Sequence, residues 1–529
     1  MKATYIDYTD TNSFSKTLLA YIKADEPLSS FYGNKPTLEG FEKQIALKQG
    51  FKFRNILVDQ LRDQYGDLLK DSPEVAKNIQ LLQDEHTFTV TTGHQLNIFT
   101  GPLYFIFKIV TAIRLADDLK KQFPNKEFIP VYWMATEDHD FAEINNTRVF
   151  GKKITWEEDA KSATGRMDTS TMTEVIKQYT QTFGLSDIAT KLTEMVDDAY
   201  AKGMNLADAT RTFVNSLFKD YGLLIIDADR AAFKALFSPI METDILEEKS
   251  FKAINKTNDA LEELGYSTQV HAREINFFYL TDEFRERIVR LPDGRFEILH
   301  QNIYFTEAEI KKEIQEHPER FSPNVVMRPM YQEVILPNLA YIGGGAEIVY
   351  WLQLKANFDQ YKVPFPILIP RNSALIGDDS LASKIYRLDL TFKSIFKPLN
   401  TLKNDYVKRK TKQRLQLQDE WMEMNAIFMR IKLRAHKIDP TLSASTDAVK
   451  ARLKKAMNNL EKKFLKAEKR NHEDALIQIE RIKDKLFPGG GLQERTDNFA
   501  VLYLKYGDDL IKELIKAFNP LDFKFTILY

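Results

Sequence analysis

At 529 residues, 43% of them hydrophobic, the chain is longer than one core normally serves, so two or three structural units are expected. Lys and Arg total 74 against 75 Asp and Glu, and a formal net charge of −1 leaves no global field drawing the protein to nucleic acid or an anionic membrane. Cysteine is absent, which excludes disulfides, a cysteine nucleophile and thiolate-held zinc or iron–sulfur centres.

The opening MKATYIDYTDTNSF has no apolar stretch of the signal-peptide kind, and no run approaches the length of a membrane span, so a soluble cytoplasmic protein is expected. Residues 1–86 read as a helical lead-in, with Ile56, Leu57, Leu61, Tyr65, Leu68 and Leu69 at helical spacing. Residues 87–148 read as strand, loop, helix, strand. Thr87 to Thr91 is β-branched and aromatic, Gly93 permits a sharp turn, and Pro102 suits a first helical turn. Ile106, Ile109, Val110, Ile113 and Leu119 then recur at helical spacing before the apolar run Phe128 to Ala135.

Residues 149–220 read as a first insertion, with a strand at Lys152 to Thr155, and 221–241 as a return to the core through the apolar run Leu223 to Asp227. A second insertion at 242–321 combines a helix from Asp244 to Leu264 with short strands and a hairpin turn at Pro292-Asp293-Gly294. Residues 322–398 hold strand-like Val325-Val326-Met327, a strand running into Gly343-Gly344-Gly345, a helix from Glu347 to Tyr361, and the strand ending Ile369-Pro370-Arg371.

In 399–487, Leu417, Trp421, Met424, Phe428, Ile431 and Ala435 step by four and three, and Leu453, Ala456, Leu460, Phe464 and Ala467 nearly do. Two long helices reversing near Asp439-Pro440 are expected, the second roughly 60 Å long. Residues 488–529 return to the core as a helix and a strand. The sum is an α/β fold: a Rossmann-like parallel sheet with insertions and a long antiparallel coiled-coil hairpin.

Ligands in such sheets sit beyond the carboxyl ends of the strands, which points to two loops. Gly93-His94-Gln95 is either a contact to a nucleotide phosphate or a turn with a hydrogen-bonded histidine. Glu137-Asp138-His139-Asp140 binds a divalent metal, holds an ammonium group, supplies a general base, or merely opens a solvated helix. Eight scattered histidines show no ligand spacing, so no metal ligand set is assigned. The glycine triplet is not a dinucleotide fingerprint, and there is no P-loop or nucleophile elbow. Arg328 and Arg371 either clamp a carboxylate or pair with a structural acid, and the Lys-rich coil face reads as solvated surface.

Six segments, TGHQLNIFTGPLYFIFK, WMATEDHDFAEIN, SPNVVMRP, AYIGGGAEIVYW, Ile369-Pro370-Arg371 and FPGGGLQERTDN, together resemble, in order, the bacillithiol biosynthesis cysteine-adding enzyme family. The resemblance implies a core like that of class I aminoacyl-tRNA synthetases, with connective-peptide insertions and homodimerisation through the hairpin. It also implies amide formation between L-cysteine and glucosaminyl-malate. Activating a carboxylate for that step, as an adenylate or an acyl phosphate, implies ATP, so ATP or ADP is the expected nucleotide.

On that resemblance His94 and Gln95 handle phosphates with help from Lys108, and Glu137, Asp138, His139 and Asp140 orient or deprotonate the sugar amine. Arg328 or Arg371 holds the malate carboxylates. Asn97, Gly101, Tyr104, Asn145, Gly343, Gly344 and Glu347 complete the substrate-binding set. Phe487, Gly490, Leu492, Gln493 and Arg495 form a second nucleotide contact, or else only stop and cap a helix. The sequence departs from the family pattern in having His94 where many members carry a second Gln, and Gly345 where many carry Pro. Two other readings stay open: an enzyme adenylating a different amino acid, and a non-enzymatic dimeric adaptor that only binds a nucleotide.

Overall fold

The β-branched run at Thr87 forms β1 (Thr87–His94), buried along all but its last residue. Beside it lie β2 (Glu127–Met134), β3 (Leu224–Asp227), β4 (Asn338–Gly343) and β5 (Ile367–Pro370). The five strands are all parallel, in the order β5-β4-β1-β2-β3. Chain direction across the sheet reverses between β1 and β4, and in doubly wound sheets that crevice is where ligands bind. Pro130 lies inside β2, but pairing with β3 begins only at Val131, so β1 alone flanks β2 at that point.

This sheet belongs to a unit made of Met1–Thr9, Ser13–Ile376 and Gly491–Leu528; a second unit takes Asp10–Asn12, Gly377–Gly490 and Tyr529. The computed structural model describes residues 1–201 and 203–529. Among the described residues no helix is long and apolar enough to cross a membrane.

Helix α1 (Tyr104–Gln122) follows β1 and starts two residues beyond Pro102; it is buried along most of its length, Lys108 included. In the second insertion the expected helix is two: α2 (Ala231–Glu247) and another at Lys249–Glu263, separated by Glu248 at φ +55°. The strand expected at Val325-Val326-Met327 is a turn. Asn324 Oδ1 accepts the amides of Val326 and Met327 at 3.0 and 3.3 Å, taking donors that a ladder would need and leading into α3 (Arg328–Ile335). The helix expected at Glu347 to Tyr361 is likewise split, into α4 (Gly345–Leu352) and a helix at Lys355–Tyr361.

The hairpin turn at Pro292-Asp293-Gly294 joins strands Arg285–Arg290 and Phe296–Ile298 of a five-stranded antiparallel sheet, whose far edge is Phe321–Pro323. The C-terminal strand Lys524–Leu528 pairs antiparallel with Ala3–Asp7 and parallel with Ala374–Ile376, after helices at Ala500–Tyr506 and Asp509–Ala517.

In the second unit, α5 (Gln418–Ile438) and α6 (Leu442–Asn471) run antiparallel. Glu461 accepts from the Leu417 amide at 2.7 Å, Lys454 lies 4.6 Å from the Trp421 ring centroid, and Lys432 pairs with Asp447. The second helix does not run unbroken to residue 486: it stops at Asn471 and a new helix, Glu473–Leu486, begins after His472. Leu417, Trp421, Met424, Phe428 and Ala435 are half-buried along the seam as the heptad spacing predicts, whereas Ile431 is exposed. On α6 the phase differs: Leu453, Met457, Phe464 and Leu465 are half-buried, while Ala456, Leu460 and Ala467 face solvent.

Candidate functional site

A cavity of about 680 Å³ opens at the carboxyl ends of β1, β2 and β4. Gly93, His94 and Gln95 line it from β1, Trp133 to Asp138 from β2, and Tyr341, Glu347 and Tyr350 from β4 and α4. Asn324, Val325 and Arg328 add the start of α3, and Val270, His271, Arg273, Phe278 and Arg285 come from the second insertion. The volume lies in the range of small-molecule sites.

Lys108 and Glu347 build the β1–β4 side. Lys108 Nζ donates to Gly93 O at 2.9 Å and pairs with Glu347 Oε1 at 2.6 Å. Glu347 also accepts from the Tyr341 hydroxyl at 2.7 Å and from the Gly344 amide at 3.0 Å. Burial alone would raise the Glu347 carboxyl, but the Lys108 ammonium and these donors outweigh it and hold it down at about 2. Burial brings Lys108 below the usual ammonium range despite the pair. Space at Gly93 is tight: a Cβ there would stand 3.1 Å from Tyr341 Oη, and the hydroxyl would have to yield by a few tenths of an ångström.

His94 lies edge-on to Tyr104 at 5.2 Å and against Phe105 at 5.7 Å. Part of its ring reaches the cavity, yet Nε2 is enclosed and has no hydrogen-bond partner among the described residues. Burial, reinforced by Lys108, lowers the imidazole to about 3, so it is neutral at physiological pH. Gln95 Nε2 donates to Asp138 at 2.6 Å and to Glu143 at 2.8 Å, which ties the two predicted loops together.

Past β2 the acidic cluster divides. Glu137 is buried and paired with Lys234, whose Nζ also donates to Phe321 O at 2.7 Å. Burial raises the Glu137 carboxyl to about 7 against the pull of Lys234. Asp138 stays on the wall with Gln95. His139 Nδ1 accepts from Arg285 Nη1 at 2.8 Å, an arrangement that places the ring proton on Nε2; burial and Arg285 lower this imidazole. Asp140 is exposed, outside the cavity lining, and precedes the short helix Phe141–Ile144. Among the described residues no three His, Asp or Glu side chains converge as a metal-binding group.

The other predicted residues scatter. Arg328 lines the cavity with its guanidinium 5.9 and 5.8 Å from the Trp133 and Tyr341 ring centroids, and it donates to Gln332 at 3.2 Å. Arg371 lies outside the lining and pairs with buried Glu494 at 2.7 Å, and its guanidinium lies 5.2 Å from the centroid of the Tyr104 ring, which meets His94 edge-on. Gly344 gives its amide to Glu347, and Gly343 O accepts from the Arg371 amide at 2.8 Å.

Asn97 donates to the backbone of the lining residue Glu143 at 3.3 Å, Gly101 O accepts from Asn498 at 2.7 Å, and Asn145 O accepts from the Trp156 amide at 2.7 Å; none of the three is itself in the lining. Of the second nucleotide set, Leu492 is buried, Gln493 bonds the Ile376 backbone at 2.9 Å, and Arg495 borders a cleft of about 250 Å³ with Arg148 and Thr147. Phe487 and Gly490 belong to the helical unit, where Phe487 packs edge-on to Phe396 at 5.3 Å and Gly490 has φ +84°.

Arg285, Arg273, His271, Trp133, Phe278 and Tyr350 line the cavity without having been singled out as site residues in the sequence. In Glu283-Phe284-Arg285-Glu286-Arg287, nothing marks Arg285 among its charged neighbours; it is buried like Ile288 three positions on, whereas Arg287 and Arg290 of the same strand are only half-buried.

Residues 1–372 match the family described as bacillithiol biosynthesis BshC, N-terminal Rossmann-like domain, and residues 374–529 match its C-terminal coiled-coil domain. The chain is 42% identical over 526 residues, 99% of each chain, to a Flavobacterium johnsoniae protein named "Putative cysteine ligase BshC". Proteins of the same name from Flavobacterium psychrophilum and Christiangramia forsetii are 41% and 39% identical, with coverage of 99% and 100% of this chain and 98% and 99% of theirs.

Proposed function

We propose, on the premise that this chain belongs to the bacillithiol biosynthesis BshC family, that it is a cysteine ligase joining the carboxyl group of L-cysteine to the amine of glucosaminyl-malate, with ATP as co-substrate. The product is bacillithiol, and this is the last step to it. The observation that carries the reading is Glu137. An amine that attacks an acyl group must first lose a proton, and a base poised near the working pH does this best. Glu137 is a cavity-wall carboxyl at about 7, and Lys234 fixes it in place.

Asp138 stands next to it as a counter-charge for the ammonium form, and the Gln95 amide holds that carboxylate to the first loop. His94, neutral and half-enclosed, offers an uncharged imidazole rather than a second cation.

The residues present fit a polyanionic co-substrate in part. Cavity size and the cations Arg273, Arg285 and Arg328 suit it, whereas Lys108 and the Gly344 amide are already engaged by Glu347. Arg328 and the Gly93–Gln95 loop are therefore the groups that would hold its phosphates. ATP, when bound, would supply the phosphoryl or adenylyl group that activates the cysteine carboxylate, with ADP or pyrophosphate as the leaving group.

The hairpin supports self-association as part of this reading. Met422, Met429 and Leu433, spaced by seven and four, are 56%, 59% and 66% exposed on a face of α5 turned away from the intramolecular seam.

Mass spectrometry of a reaction of the purified protein with isotopically labelled L-cysteine, glucosaminyl-malate, ATP and a panel of divalent metals tests the function. Labelled bacillithiol is expected. ATP turnover that depends on another amino acid, with no bacillithiol formed, would replace this reading by a different adenylating activity.

A further inference from the structure

Arg285 is a buried cation with no direct ion-pair partner among the described residues. It is 8% exposed, and its side chain donates to Ser322 Oγ at 3.0 Å, Pro323 O at 3.3 Å and His139 Nδ1 at 2.8 Å. None of these acceptors carries a charge, and among the described residues no carboxylate pairs with it directly; Glu137, Asp138 and Asp229 act on it only from beyond contact, and burial still outweighs them. The face of the guanidinium rests on Phe278, 3.9 Å from the ring centroid.

A guanidinium has five N–H groups, so three are placed and one remains on each terminal nitrogen, free to donate to a ligand. A buried charge without a direct partner is costly, so an anionic group brought against Arg285 would be stabilised there. Arg285 faces the cavity, and Arg273 lines the same insertion-side wall.

Three anions would enter this site if the ligase reading is right: nucleotide phosphates, the cysteine carboxylate and the malyl carboxylates. The cysteine carboxylate has to react, and a rigid two-point clamp would hold the oxygens that must be free to form the activated bond. The malyl carboxylates take no part in bond formation, so fixed recognition suits them. Arg285 also sits on the Glu137–Asp138 side through His139, where the acceptor amine must be, rather than on the β1 loop.

We infer that Arg285 is the specificity-determining residue for the acceptor, clamping one malyl carboxylate while Arg273 faces the other. The inference rests on the ligase reading above, and it selects for a dicarboxylate-bearing amino sugar over a neutral glycoside of the same sugar.

The test compares wild type, Arg285→Met and Arg285→Lys in steady-state ligation. Loss of a charge-assisted two-point contact should raise the KM for glucosaminyl-malate by about 10- to 100-fold in Arg285→Met. The KM values for cysteine and ATP should stay within about twofold, and Arg285→Lys, which keeps the charge but not the fork, should fall between. The preference for glucosaminyl-malate over methyl glucosaminide should collapse in Arg285→Met. An unchanged acceptor KM, or a rise confined to cysteine or ATP, overturns the inference while leaving the ligase reading intact.

Calorimetry with L-malate as probe separates the two failures. Wild type that makes no bacillithiol yet binds L-malate, with binding lost in Arg285→Met, keeps the carboxylate site and removes the reaction assigned to it. Should Arg285→Met fail to fold, wild-type inhibition decides: L-malate should compete with the acceptor and malamide should not, and equal inhibition by both overturns the clamp.

Discussion

Replacing Lys108 with Met should destabilise the sheet unit more than any removal of a surface charge. The Lys108 side chain is 2% exposed, and Met leaves the Glu347 carboxylate with only the Tyr341 hydroxyl and the Gly344 amide as donors. Breaking a buried ion pair by deleting one partner typically costs about 3–5 kcal/mol. Glu347 keeps 26% of its side-chain surface open to the cavity, so water recovers part of the loss, and about 3 kcal/mol is expected.

Adding Glu347→Gln to Lys108→Met removes the stranded charge and should restore more than half of that. The pH dependence follows from the same pair. Glu347 sits at about 2 against an ordinary 4.5, so in wild type its contribution is complete above about 4.5 and fades as pH falls toward 2. Without Lys108, burial raises the carboxyl instead, and protonation in mild acid relieves the variant.

Urea unfolding followed by tryptophan fluorescence reads this directly, because Trp351 stacks on Tyr341 at 4.4 Å; Trp421→Phe silences the hairpin. A deficit below about 1 kcal/mol at pH 7, or one that is the same at pH 7 and pH 4.5, would refute the account of this pair.

Glu137→Gln should abolish the ascending limb of kcat/KM against pH, which in wild type is expected to rise about tenfold per pH unit up to about 7 and then level; an unaltered limb in the variant removes Glu137 as the base. His94 stays unprotonated down to about 3 when folded, whereas an unfolded histidine takes up a proton below 6.5. Wild type should therefore lose about 1.4 kcal/mol per pH unit through that window, and His94→Gln should flatten the slope in urea titrations at stepped pH. Glutamate at Met422, Met429 and Leu433 together should halve the mass seen by light scattering while the circular dichroism of the hairpin persists; an unchanged mass excludes this face as the contact between copies. Arg371→Met should destabilise by about 3–5 kcal/mol through stranded Glu494 without changing the KM of any one substrate selectively, since Arg371 lies outside the cavity lining.

The parallel sheet was readable in the sequence because its strands are short, β-branched and buried on both faces, and because α1 between β1 and β2 keeps a clear helical period. Reading failed where a single side chain overrode the local pattern. Val325-Val326-Met327 has strand composition, but Asn324 captures two of its amides and turns the chain into α3. The continuous helix expected through Glu248 breaks there on a left-handed residue that no propensity scale flags. On α6, Lys454 over Trp421 and Glu461 on the Leu417 amide set the packed face, so the apolar repeat alone gave the wrong phase for Ala456, Leu460 and Ala467.

The site divides along the same physical line. Gly93, His94, Gln95, Glu137 and Asp138 were legible because the strand ends that carry them define the ligand crevice of any doubly wound sheet. What each does was not legible, since function turns on partners far away in sequence. Burial, opposed by Lys234, raises the Glu137 carboxyl above the ordinary carboxylate range, whereas Lys108 overcomes burial and holds Glu347 below it. Arg371 and Arg285 make the contrast sharpest. Both are arginines 6% and 8% exposed, and spacing favours Arg371, which ends a core strand. Glu494, 123 positions away, pairs directly with Arg371, while the insertion sheet delivers Arg285 to the cavity with uncharged hydrogen-bond partners and acids only at longer range. A buried guanidinium becomes a recognition element when the fold withholds its counter-ion, and that is a property of tertiary contacts rather than of the residue or its neighbours in the chain.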